Sequence, residues 1–69
     1  MVVIEVVCTD RMGKRLASHL VQGGTYKDTL PERQALSQAW IAQHTDSAGN
    51  PPYIFRNVKR SEAYYERQG

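Results

Sequence analysis

The sequence predicts an α+β fold: a small sheet packed on one amphipathic helix, in the order strand, strand, helix, strand. Three observations carry this expectation. Val2 to Cys8 is dense in β-branched residues and has an apolar side chain at every even position. Thr29 to His44 combines helix-start residues with apolar side chains at helical spacing. Tyr53 to Val58 alternates Tyr53, Phe55 and Asn57 with Ile54, Arg56 and Val58 behind two prolines. At 69 residues the chain amounts to a single small domain, near the lower size at which an unaided core suffices.

In the first strand Val2, Ile4, Val6 and Cys8 share one face and Glu5 interrupts the other. One face is therefore expected to be fully buried and the other partly so. Asp10 and Gly13 suit a turn that needs a local side-chain hydrogen bond and one residue at positive φ. The chain then reverses into a second strand, Arg15 to Val21, with either Leu16 and Leu20 or Ala17 and Val21 inward. Gln22 to Asp28, with Gly23 and Gly24, reads as a loop. Thr29 and Glu32 have capping-box spacing, the hydroxyl accepting from the amide three residues on while the carboxylate reaches back. Pro31 is tolerated in the first turn, where its missing N–H has no intrahelical partner. At about 100° per residue Ala35, Leu36, Ala39, Trp40 and Ala42 share a sector. Trp40 is the natural anchor toward Val2, Ile4, Val6 and Phe55.

The run TDSAGNPP ends the helix near His44, and its prolines force an extended approach to the third strand. Ser61 caps a last segment, EAYYERQ, short enough either to fray or to dock. Parallel pairing of the first and third strands, with the helix as crossover, would close a β-grasp-like sheet.

Composition narrows the function classes. Hydrophobic residues make up 41% and charged residues 23%, the balance of a folded domain, and the net charge of +2 is mild for a dedicated nucleic-acid binder. A single cysteine excludes an intrachain disulfide and a zinc site of paired CxxC knuckles. No apolar run approaches the roughly 20 residues of a membrane helix, and the N-terminus lacks the pattern of a signal peptide. A cytoplasmic protein that does not engage the membrane is expected.

No catalytic constellation emerges. Cys8 is in phase with the buried face, and a free cysteine there reads as structural; His19, which could lie opposite it in the hairpin, lacks a third group to complete a nucleophilic site. His19, His44, Asp10, Asp28 and Asp46 match no metal-ligand spacing. Gly23 and Gly24 precede no helix directly and lack a Lys-Ser or Lys-Thr, which argues against a phosphate cradle. No enzyme activity, metal or cofactor is expected. Two patches remain. Arg11, Lys14 and Arg15 cluster at the hairpin turn, and Arg56, Lys59, Arg60 and Arg67 cluster with Tyr53, Phe55, Tyr64 and Tyr65 toward the C-terminus. Arginine and tyrosine are enriched at protein interfaces, so another protein is the leading expected partner. Basic residues among aromatics also suit nucleic acid, the alternative reading. An exposed strand edge leaves a dimer open.

The residues Ile4 to Arg15, IEVVCTDRMGKR, resemble the opening hairpin of the ubiquitin-like splicing modifier family, small β-grasp proteins. Tyr64-Tyr65 resembles that family's double tyrosine, and Asp28-Thr29-Leu30 its approach to the helix. The resemblance implies non-covalent binding to partner proteins, without a conjugating diglycine tail, and a nuclear location. The middle of the chain departs from the family: the segment after Phe55 is too short for its remaining strands, and Glu66 to Gly69 follow the tyrosines. Trp40-Ile41, Pro51-Pro52 and Arg60-Ser61-Glu62-Ala63 resemble the tail of small winged-helix excisionases, which implies DNA binding. Those proteins usually begin with helices, and the β-branched N-terminus here departs from them.

Overall fold

The computed structural model describes residues 1–68, apart from the side chains of Ile54, Phe55, Arg56 and Gln68. Its elements are β1 (Val2–Thr9), β2 (Arg15–Gly23), a 3-10 turn (Lys27–Thr29), α1 (Leu30–His44), β3 (Tyr53–Arg60) and α2 (Glu62–Gln68). The three strands form one sheet in the order β2-β1-β3, and β1 is antiparallel to both neighbours. The α+β fold with a small sheet on a helix is therefore present.

The expected parallel pairing of the first and third strands is not. Fifteen residues of α1 span roughly 22 Å at 1.5 Å per residue, close to the length of an eight-residue strand. The helix therefore carries the chain back along the full sheet, and β3 starts at the end where β2 started. β3 consequently runs parallel to β2 and antiparallel to β1, which lies between them. The helix is still a crossover, but one that joins the two edge strands, so the β-grasp-like closure by parallel β1 and β3 is corrected.

The core forms on the α1 side of the sheet. Ile4, Val6, Cys8, Val21 and Trp40 are buried together, with Val2, Leu16, Ala17 and Leu36 packed around them. Pairing of Ile4 with Val21 and Cys8 with Ala17 settles the orientation of β2 in favour of Ala17 and Val21. Leu16 joins the same cluster because a bulge opposite Cys8 and Thr9 adds a residue and breaks the alternation.

The helix is seated differently from the apolar sector read in the sequence. Trp40 is buried, and Arg33, Leu36, Ser37 and His44 are half-buried on the same stripe, whereas Ala35, Ala39 and Ala42 face solvent. The inward face is thus turned by roughly a quarter turn at 100° per residue. An indole hides far more apolar surface than three methyl groups, and so it sets the rotation.

The helix start is also corrected. Thr29 has helical φ and ψ of −84° and −7° and makes no capping hydrogen bond. Its hydroxyl donates to the Tyr26 carbonyl at 2.6 Å and accepts from Arg33 Nε at 2.8 Å. The reciprocal box lies one turn upstream. The Thr25 amide donates to Asp28 Oδ2 at 3.1 Å, and the Asp28 amide to Thr25 Oγ1 at 3.2 Å.

Both faces of β1 are buried, including Val3, Glu5 and Val7 opposite α1. The second face is where α2 docks, with Tyr64 and Tyr65 half-buried. Ser61 caps it as expected, its Oγ accepting from the Tyr64 amide at 3.1 Å.

Candidate functional site

The β1-β2 turn is stiffened by Asp10. Its Oδ1 accepts from the amides of Met12 and Lys14, each at 2.9 Å, and Gly13 takes φ +85° to close the turn. The loop after α1 repeats this construction. Asp46 Oδ1 accepts from the Ala48 and Asn50 amides at 3.0 and 2.9 Å, and Gly49 also has φ +85°. Both loops follow D-x-x-G-x, at residues 10–14 and 46–50. Arg11 Nη2 donates to Asn50 Oδ1 at 2.9 Å and ties one to the other. Hydrogen bonds from Asn50, first from its amide, hold the Asp46 carboxyl below the ordinary carboxylate range, assisted by Ala48 and the Arg11 charge.

These bonds fix a projecting tip. Met12 is 91% exposed at its apex, between Arg11 and the exposed Lys14 and Arg15. Tyr53, 58% exposed, stands at the same end of the sheet, because β3 begins opposite Thr9. Arg11, Lys14 and Arg15 are all exposed around this turn. Arg15 also leans toward the buried Glu5, with Nη1 3.9 Å from Oε2.

The C-terminal patch is divided by the pleat. Arg60 pairs with Val3 and Lys59 with Ile4, so their side chains leave the sheet on opposite faces. Arg60 is occupied internally: its Nε and Nη2 donate to Glu5 Oε1 at 3.0 and 2.7 Å, and its guanidinium lies over the Tyr64 ring at 4.7 Å from the centroid. The bonds to Glu5 raise its pKa further. Tyr64 is committed to that stack and Tyr65 is half-buried, while Lys59 is exposed on the α1 side. Arg56 pairs with Val7 through its backbone, and its side chain lies outside the described residues.

Cys8 is fully buried, and burial pushes its thiol pKa up. His19 is exposed and stands opposite Val6, not Cys8. Among the described residues no group of three or more His, Cys, Asp or Glu side chains is placed to hold a metal ion, and no helix is long and apolar enough to cross a membrane.

Sequence reasoning missed Met12 as a surface feature and also the polar cluster of Tyr26, Arg33 and Asn57. The repeated D-x-x-G-x spacing was the available signal for the first. For the second it was the spacing of Arg33 to Trp40, which puts the arginine on the tryptophan's side of the helix. Comparison of the chain with known protein families, curated proteins and solved structures finds no match.

Proposed function

We propose that this protein is a non-catalytic protein-binding module that engages its partner through the β1-β2 tip. The observation that carries the reading is Met12, an unbranched apolar side chain almost wholly in water on a turn pinned by two hydrogen bonds to Asp10. A rigid turn presents its side chains with little further entropy to lose on association, and methionine adapts to irregular apolar pockets. Arg11, Lys14 and Arg15 flank it along the turn, so the complementary surface is an apolar pocket with acidic groups nearby. The tip belongs to the stretch that resembles the ubiquitin-like splicing modifier family, whose members bind partners non-covalently, although the antiparallel pairing of β1 and β3 departs from that family's β-grasp sheet. The occupied Arg60 and the split of Arg60 from Lys59 argue against a continuous nucleic-acid surface at the C-terminus.

Affinity capture from the native host with wild type, Met12→Asp and Arg11→Glu/Lys14→Glu variants tests the proposal, alongside titration of generic DNA and RNA across salt concentrations. A protein retained by wild type and lost with Met12→Asp is the expected result. Retention by both variants overturns the tip as the binding surface. Nucleic-acid binding with a steep salt dependence, flattened in the double charge reversal, moves the reading to nucleic acid.

A further inference from the structure

On its β2 flank α1 approaches the sheet closely, but on the other flank an open groove of about 430 Å³ separates it from β3. Val6 forms its floor, Asn57 the β3 wall, and Arg33, Gln34 and Gln38 the helix wall. Among the described residues no carboxylate lines it.

Arg33 has the unusual position. It is half-buried, and among the described residues it forms no salt bridge. Its neighbours are neutral: Nε donates to Thr29 Oγ1 at 2.8 Å, Nη1 to the Tyr26 hydroxyl at 3.3 Å and Nη2 to the Tyr26 carbonyl at 3.4 Å, with the guanidinium 4.2 Å from the Tyr26 ring centroid. A guanidinium carries five N–H groups, so these three bonds leave two N–H donors over. The Tyr26 hydroxyl also accepts from Asn57 Nδ2 at 3.3 Å. It thus accepts twice, and its own O–H remains to donate. Arg33 and Asn57 line the groove with Gln34 and Gln38, and the Tyr26 hydroxyl stands beside it, bonded to both Arg33 and Asn57.

We infer that this groove is an oxyanion-binding site, which takes a carboxylate or phosphate group of a small polar ligand. Arg33 supplies the charge and two N–H donors, Tyr26 and Asn57 complete the donor set, and Gln34 and Gln38 bond the remainder of the ligand. A partly desolvated guanidinium with neutral partners gains more from an incoming anion than the solvated cations of the hairpin tip do. The site is separate from that tip and stands whether or not the tip binds a protein.

NMR titration of the full chain at constant ionic strength with sodium phosphate, acetate and chloride tests the inference, read at the Arg33 Nε–H and the side-chain amides of Gln34, Gln38 and Asn57. Saturable shifts at these groups with phosphate or acetate, absent with chloride, are expected, and the anion that saturates at lower concentration identifies the source. Arg33→Gln should weaken binding at least tenfold. Because that change also loosens the clamp on Tyr26, the exposed Asn57→Ala, which removes one donor of the anion set, provides a second variant, expected to weaken binding several-fold with an unchanged native spectrum. A response equal to that of chloride, one confined to Arg11 and Lys14, or unchanged affinity in both variants overturns the assignment.

Discussion

Trp40 is 7% exposed and meets Ile4, Val6, Cys8 and Val21 at the centre of the core. Loss of a buried Trp side chain costs about 3–5 kcal/mol, a large share of the stability available to so small a domain. Trp40→Ala is expected to leave most of the chain unfolded, and native Trp fluorescence to be blue-shifted and poorly quenched by iodide. A folded mutant, or ready quenching, contradicts this packing. Cys8 gives a second residue-level test. Full burial and a raised thiol pKa both suppress the reactive thiolate. A thiol reagent should label it slowly in the native protein and rapidly after denaturation. Glu5, only 5% exposed, shows how a charge is held inside a sheet face. Arg60 meets one of its oxygens, and Arg15 lies 3.9 Å from the other. Removal of a partner strands a buried carboxylate, whereas replacement of the carboxylate itself does not. Arg60→Leu should therefore lower the thermal midpoint more than Glu5→Leu, and the reverse order in calorimetry would show that Arg15 alone suffices.

The paired D-x-x-G-x turns act at the scale of elements. Gly13 and Gly49 both have φ +85°, and an added Cβ would meet no atom within 4 Å at either site. The cost of alanine there is consequently backbone strain alone, about 1–2 kcal/mol for a left-handed conformation. Gly13→Ala and Gly49→Ala should each destabilise by that amount in denaturant titration, and Gly13→Asn by less, since asparagine tolerates this region. The 46–50 turn also has a definite pH dependence. The folded pKa of Asp46 is depressed, so its stabilising contribution is complete above the ordinary carboxylate pKa and is lost as pH falls through the folded value. An NMR titration should show the Asp46 carboxyl and the Ala48 and Asn50 amides changing together, below the usual carboxylate range.

At the scale of the whole molecule the sheet has two different coats. α1 covers one face through an apolar contact at Trp40. The short α2 is held on the other by polar links: Arg60 to Glu5 and Tyr64, and the N-terminal ammonium 3.4 Å from Glu62 Oε1. Of these only the exposed Met1–Glu62 pair ties α2 by charge, and such a pair is weak and screened by salt, so α2 should be the first element to open. Hydrogen exchange is expected to show the amides of Ala63 to Arg67 exchanging far faster than those of β1, with the gap widening at high salt. Equal protection of α2 and β1 would mean that Tyr64 and Tyr65 anchor the helix more strongly than its ion pair does.

Much of this was legible locally. Hydrophobic alternation placed β1, Asp10 with Gly13 specified the turn, and TDSAGNPP stopped the helix at His44, because each signal acts within a few residues of chain. The burial of Cys8 and Trp40 was legible for the same reason. Three features were decided only in three dimensions. The rotation of α1 depended on where the indole found room against Ile4 and Val21, and the alanines at 35, 39 and 42 had too little surface to oppose it. The direction of β3 followed from the length of α1 relative to the strands and from which edge of β1 was left unpaired. The candidate sites depended on contacts far apart in sequence, Arg11 with Asn50 and Tyr26 with Asn57, 39 and 31 residues apart. Such pairings carry no local signature, since they exist only once packing has brought the two segments together.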